Sequence, residues 1–259
     1  MEITSVQKLL EAIATFTRDR EHHAHVRLWY RGHADDGWRL SPGVYRSGFL
    51  TGEEASGTPD EVEKARLHKE CHLTQDFQVE GAALLPAAAS SAEVYFLQQH
   101  YGMPTRLLDW TTSPLAALFF AVCERKHRDR PGSFFMLDAY NFKGDSGVAT
   151  KNRAEFVNAL KAIFAWDDTA QFPPDILPVR PYMTDVRIIQ QRGVFTFHGP
   201  GHEVVTEADN RTLTAHCIPA GDTKARIEKE LRLLGINEFS IYGDLPSLAT
   251  RLKVAHNIA

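Results

Sequence analysis

An α+β fold, with mixed but mainly antiparallel strands and flanking helices, is the architecture this sequence predicts. Three observations carry that reading. Strand-like and helix-like stretches are mixed without a regular βαβ rhythm. Helix starts are marked by capping residues, as at Ser90 with Glu93 and at Ser113-Pro114. The 259 residues are 43% hydrophobic and 24% charged with a net charge of -4, which suits one large globular domain with an ample core and excludes a disordered, collagen-like or disulfide-scaffold chain.

Thr4 with Gln7 forms a capping-box pattern, and Val6, Leu9, Leu10, Ile13 and Phe16 follow at helical spacing. Residues 26–32 alternate as a strand, with Val26, Leu28 and Tyr30 on one face and Arg27, Trp29 and Arg31 on the other. The Gly-, Ser- and Thr-rich stretch 47–60 reads as a surface loop, after which Asp60 caps a charged helix reaching residue 77. The helix opened by Ser90 has Val94, Leu97 and Tyr101 as its apolar face; Gly102 stops it and Pro104 follows. A short strand, 106–110, leads to the serine cap at Ser113, to Pro114 in the first turn, and to an apolar helix over 115–126. A turn at 130–133 introduces a strand at 134–140, and a helix is predicted over 150–166. Pro173, Pro174, Pro178 and Pro181 make 167–181 an extended connector. A long strand over 186–197, broken near Gly193, precedes a loop or hairpin at 198–210 and a last strand at 212–218. Asp222 caps a helix whose stripe is Ile227, Leu231 and Leu234, Gly235 closes it, and a short helix after Pro246 finishes the chain.

The cysteines, Cys71, Cys123 and Cys217, are odd in number and lack paired spacing, which fits a reducing compartment. The N-terminus lacks the basic and apolar regions of a signal peptide, and the longest apolar run, 114–123, is about half of the roughly 20 residues a spanning helix needs. A cytoplasmic protein without membrane contact is the resulting expectation. The slightly negative charge offers nucleic acid no general attraction, so only a local basic groove would serve. His68, Cys71 and His72 sit at a metal-like spacing with no fourth ligand, and HExxH, P-loop, GxSxG and paired CxxC motifs are absent, so no metal is expected. His22, His23 and His25 read as a solvated loop, and His198 and His202 as the flanks of a Gly-Pro-Gly loop.

Three segments carry more polar chemistry than a core requires. In the first, 29–33, Arg31 precedes Gly32 on an apolar strand; a guanidinium donates two parallel bonds to a phosphate or carboxylate, and the glycine admits a ligand close to the backbone. A solvated edge-strand arginine is the plainer alternative. The second segment, 98–114, gathers His100, Tyr101, Arg106, Asp109, Trp110, Thr111, Thr112 and Ser113 before a helix N-terminus that would suit an anion. There an Arg106–Asp109 or Arg31–Asp109 pair that fixes the fold is the competing account. In the third, 187–196, an amide such as Gln191 before Gly193 would read a ribose hydroxyl or simply face solvent.

Taken in order, Tyr30-Arg31-Gly32, Leu40-Ser41-Pro42 with Arg46, the run from Gln99 to Thr111 with Ser113-Pro114 and Ala117, Gln191-x-Gly193-x-Phe195, and the C-terminal Leu234-Gly235-Ile236 with Asp244-Leu245 resemble the FRG domain family. The resemblance implies one FRG-type domain over 1–259, with an N-terminal helix in 1–25 and the family region in 26–248. Members of the family are mostly bacterial and phage proteins. The motif order also looks like that of arginine-first ADP-ribosyltransferases, an ADP-ribosyltransferase-like fold that takes NAD as substrate. Arg31 would then hold the phosphates, Thr111 to Ser113 would lead into the helix, and Gln191 would stand at the third place, where the usual residue is glutamate.

Under that resemblance Arg31, Ser113, Gln191, Asp109 and His100 form the catalytic set, with Glu124 as a further source of a base. Tyr30, Arg31, Gly32, Tyr101, Arg106, Trp110, Thr111 and Thr112 contact NAD or a related nucleotide, with Trp110 or Tyr101 stacking on nicotinamide or adenine. The acceptor would be nucleic acid or protein, and the setting a toxin or phage-defence effector with an antitoxin or defence-system partner. A nucleic-acid-binding or -processing effector and a non-catalytic recognition module stay open as alternatives.

Overall fold

The computed structural model describes residues 1–20, 27–142, 149–167, 169–181, 186–202, 204–205 and 212–256. The fold is α+β. One six-stranded sheet, β1 (Leu28–His33), β2 (Leu107–Thr111), β3 (Gly132–Asp138), β4 (Leu177–Val179), β5 (Gly193–Phe197) and β6 (Leu213–Ile218), runs in the order β4-β5-β2-β1-β3-β6 with antiparallel neighbours throughout. The helices are α1 (Val6–Arg18), α2 (Pro59–Glu80), α3 (Ser91–His100), α4 (Pro114–Val122), α5 (Ala149–Ala165), α6 (Val186–Gln191), α7 (Asp222–Leu233), α8 (Glu238–Tyr242) and α9 (Leu245–Ala255). The cluster His22, His23 and His25 lies outside the described residues. Among the described residues no helix is long and apolar enough to cross a membrane.

Local chemistry sets most helix boundaries. Ser90 accepts from the Glu93 amide and Glu93 answers with its carboxylate, a complete capping box, and Ser113 accepts from Ala116 with Pro114 behind it. Three caps sit one or two residues from the predicted ones. Ser5 rather than Thr4 caps α1, Thr58 with Glu61 rather than Asp60 caps α2, and Gly221 with φ +67° rather than Asp222 precedes α7. In the first two cases the hydroxyl that stands immediately before the first helical residue reaches an orphan N–H group, and Asp60 falls inside the first turn of α2.

Two segments depart further from prediction. Residues 186–191 form α6 instead of continuing the strand, and Arg192 at φ +48° turns the chain into β5. The β-branched Ile188 and Ile189 favour a strand locally, but packing against α8 and burial of Ile188 decide for a helix. The proline-rich connector contains β4, with Pro178 on the sheet edge where the ladder does not need its missing donor.

Antiparallel partners share a face, so register sorts the core. Tyr30, Gly32, Phe134 and Met136 lie on one face under α1, α4 and α7. On the β2-β5-β4 half of that face, Leu107, Phe195, Phe197, Leu177 and Val179 pack with residues of α3 and α5. The other face buries Trp29, Leu108, Trp110, Phe135 and Leu137. The first half of β1, Leu28 to Tyr30, is therefore covered by apolar neighbours on both sides, whereas Arg31 and His33 follow Trp29 on the second face.

Gly32 is required by packing. A Cβ there would lie 1.9 Å from the Ala117 carbonyl oxygen and 2.9 Å from the Ala121 nitrogen, both backbone atoms of α4. The glycine thus admits a helix, whereas the sequence suggested a ligand. Gly32→Ala is expected to destabilise the protein by about 3 kcal/mol or more, measured by urea unfolding; an unchanged midpoint would contradict this contact.

Candidate functional site

β1 pairs with β3 along its whole length and β2 with β5 along theirs, yet β1 and β2 meet at one aligned pair, Tyr30 opposite Thr111. Past that pair the strands part, and a cleft of about 610 Å³ opens. Arg31, Asp109, Thr111 and Gly193 line it from the sheet, Gln99 and His100 from the end of α3, Glu124 from the segment after α4, and Gln191 from the end of α6.

Arg31 spans the gap. Its Nη1 donates to the Asp109 carbonyl at 2.5 Å and lies 3.7 Å from the Asp109 carboxylate, while Nε donates to His33 Nε2 at 2.8 Å. A guanidinium offers only donors, so His33 Nε2 must accept and the ring proton sits on Nδ1, which faces the Trp38 carbonyl at 3.2 Å. Burial, only partly offset by Asp109, pushes Arg31 down to about 10, and it stays a cation at neutral pH. Burial and then the Arg31 charge push His33 down to about 3.

The remaining walls are held by short polar links. Gln99 Nε2 donates to Asp109 Oδ2 at 2.7 Å, and Gln99 Oε1 accepts from Thr105 at 2.5 Å. Thr111 donates from Oγ1 to the Gln191 carbonyl at 2.5 Å and accepts from the Ser113 amide at 2.9 Å. That hydroxyl ties β2, the end of α6 and the entrance to α4 together. The Gln191 side-chain nitrogen is buried without a hydrogen-bond partner among the described residues, a donor left desolvated. Tyr30 is buried beside the cleft, and burial raises its phenol to about 12, so it is a neutral wall.

The structure brings Tyr30, Arg31, Gly32, His100, Asp109, Trp110, Thr111 and Gln191 to one cleft and places four other predicted residues elsewhere. Arg106 is fully buried: Nε donates to Glu70 at 2.8 Å, Nη1 to Tyr45 Oη at 2.5 Å, and Nη2 pairs with Glu63 at 2.7 Å. Tyr95 completes this network, donating to Glu70 at 2.6 Å and accepting the Arg106 amide at 2.8 Å. Arg106 thus clamps α2 and α3 onto the start of β2 and does not line the cleft, and of the two predicted pairs the Arg31–Asp109 pair forms.

Ser113 spends its oxygen on the α4 cap and, like Thr112, does not line the cleft. Tyr101 is exposed, edge-on to His100, and outside it as well. Trp110 lines the cleft, but its Nε1 donates inward to Thr196 at 3.0 Å. His68 and His72 close edge-on around Trp166, while the Cys71 thiol donates to the Ala162 carbonyl at 3.4 Å, so no metal set forms there.

Sequence reasoning missed Trp38 and Arg187 as cleft residues. Arg187 was hidden by the strand reading of α6, and Trp38 has no local signal.

Residues 26–130 match the family model of the FRG domain, and an FRG domain occupies that segment. The match includes Arg31, Asp109 and Thr111 and ends before Gln191. No curated protein and no solved structure matches the chain.

The unfolded His33 ring titrates near pH 6.5 by its ordinary value, while the folded ring resists protonation down to about 3. Between those values the unfolded state binds the extra proton, so this contribution to stability is present above pH 6.5 and is lost as pH falls toward 3. His33→Gln, whose amide can accept from Arg31 and donate to Trp38, should lose less stability than the wild type between pH 7 and pH 5 in urea unfolding. Equal losses would contradict the buried neutral ring.

Proposed function

We propose that this FRG-domain protein is an ADP-ribosyltransferase-like enzyme that binds NAD as substrate, breaks its nicotinamide–ribose bond and passes ADP-ribose to an acceptor. The observation that carries the reading is the meeting of three motif segments at one cleft. Arg31 on β1, Thr111 on β2 and Gln191 at the end of α6, two residues before β5, meet where β1, β2 and β5 are neighbours in the sheet. A cleft of about 610 Å³ is within the range of ligand sites that enclose a molecule larger than a single ring.

Arg31 would hold the pyrophosphate. One Nη1 hydrogen and the Nε hydrogen are engaged, which leaves the rest of the fork for phosphate oxygens. The unpartnered Gln191 amide nitrogen would donate to a ribose hydroxyl. As the glycosidic C–N bond breaks, its electron pair leaves with nicotinamide and positive charge spreads over the ribose; the acceptor then bonds to C1′ and gives its proton to a base. Gln191 cannot take that proton. The titratable groups that could take it from the cleft wall are His100, Asp109 and Glu124; Asp109 accepts from Gln99 and faces Arg31, and Glu124 pairs with Lys126 at 2.6 Å. A nucleic-acid or protein acceptor, and a bacterial toxin or phage-defence setting with a neutralising partner, complete the proposal.

Purified protein incubated with NAD, with and without RNA, DNA or cell lysate, should release nicotinamide detectable by mass spectrometry. Arg31→Ala should abolish both release and NAD binding while keeping the wild-type circular dichroism spectrum. Normal NAD affinity in a folded Arg31→Ala protein would overturn the proposal. RNA or DNA binding that weakens steeply with salt and ignores NAD would replace it with a nucleic-acid effector.

A further inference from the structure

A second cavity, about 160 Å³, shares no lining residue with the cleft among the described residues. It lies where the start of β1 meets α3, α5 and the edge strand β4. Phe96, Phe156 and Val179, all buried, give it apolar walls. Arg27, Arg153 and Arg180 stand among its lining residues with exposed side chains, and among the described residues no aspartate or glutamate lines it. Arg180 is held below the usual arginine range, first by partial desolvation of its inner side and then by the Arg27 charge, so two like charges act on each other here. The Arg153 charge also acts on Glu93.

Trp29 supplies the independent observation. Its side chain is 1% exposed, it lines this cavity, and its Nε1 has no hydrogen-bond partner. A buried indole N–H normally finds an acceptor, and leaving one without costs free energy. The cavity therefore presents an apolar body, one buried donor and a repelling pair of guanidinium groups. An apolar molecule carrying one carboxylate answers all three. Its body would take the place of water against Phe96 and Phe156, and its oxygens would accept from Trp29 and from the arginine forks.

Size narrows the class. The volume is about five times the roughly 30 Å³ that a water occupies in the liquid. That accommodates one aromatic ring or a short branched chain with its acid group, and is too small for a nucleotide. We propose that this cavity is a binding site for a small carboxylic acid with an apolar body about the size of one ring.

The test uses the full chain and phenylacetate as probe. The indole N–H resonance of Trp29, assigned by its absence in Trp29→Phe, should move saturably on titration, with half-saturation at about 1 mM or below. The neutral isostere phenylacetamide should bind about tenfold more weakly or worse, and Arg180→Gln, a change at an exposed side chain, should weaken phenylacetate by a similar factor. Arg31→Ala should leave phenylacetate binding unchanged, since Arg31 lines only the other cavity. A Trp29 resonance that does not move, equal affinity for the amide, or unaltered binding by Arg180→Gln would each overturn the proposal.

Discussion

Strands β1 and β2 are aligned only at Tyr30 and Thr111, and beyond that point the Arg31 guanidinium, not a strand partner, takes the Asp109 carbonyl. The cleft exists because the sheet parts there, and it has a cation at its floor because a side chain bridges what the backbone does not. Two neighbouring contacts hold the parting in place. Gly32 lets α4 press its backbone onto β1, so β1 is anchored to α4 and β3. Thr111 links β2 to the last turn of α6 and the cap of α4, so β2 is anchored to β5 and that junction.

Arg31 and Arg106 show how the surroundings separate two residues of one type. Burial disfavours both cations. Around Arg106, Glu70, Tyr45 and Glu63 outweigh burial and push its pKa up. Around Arg31 the partners are a carbonyl, a neutral imidazole and a carboxylate at 3.7 Å, and burial prevails. Arg106 is a closed network that fastens α2 and α3 to the sheet. Arg31 is left with charge that these partners do not fully answer.

The run from Gln99 to Trp110 thus divides between two purposes. Arg106, Leu107 and Leu108 face inward and make the core, while Gln99, His100 and Asp109 line the cleft. A dense polar motif looks alike for both purposes when read as a string. The glutamates that claim Arg106 are far away in sequence, at Glu63 and Glu70 on α2. Nothing near Arg106 announces them.

Much was legible locally. The α+β class, the caps at Ser90 and Ser113, the stop at Gly102 and the strand carrying Arg31 follow from turn, cap and alternation chemistry within a few residues. So did the FRG resemblance, now matched over residues 26–130. What required the tertiary structure was everything set by distant partners. Residues 186–191 became a helix because α8 and the core took Ile188. Gly32 serves α4 because Ala117 lies against it, and Ser113, Thr112, Tyr101 and Arg106 lie outside the cleft because other groups, or solvent, hold them. The sequence by itself determined which segments fold and which carry polar chemistry, since those depend on hydrogen bonds and apolar spacing along the chain. Only the fold decided which of those polar groups are satisfied by one another and which are left facing a cavity, because that balance depends on contacts between residues tens of positions apart.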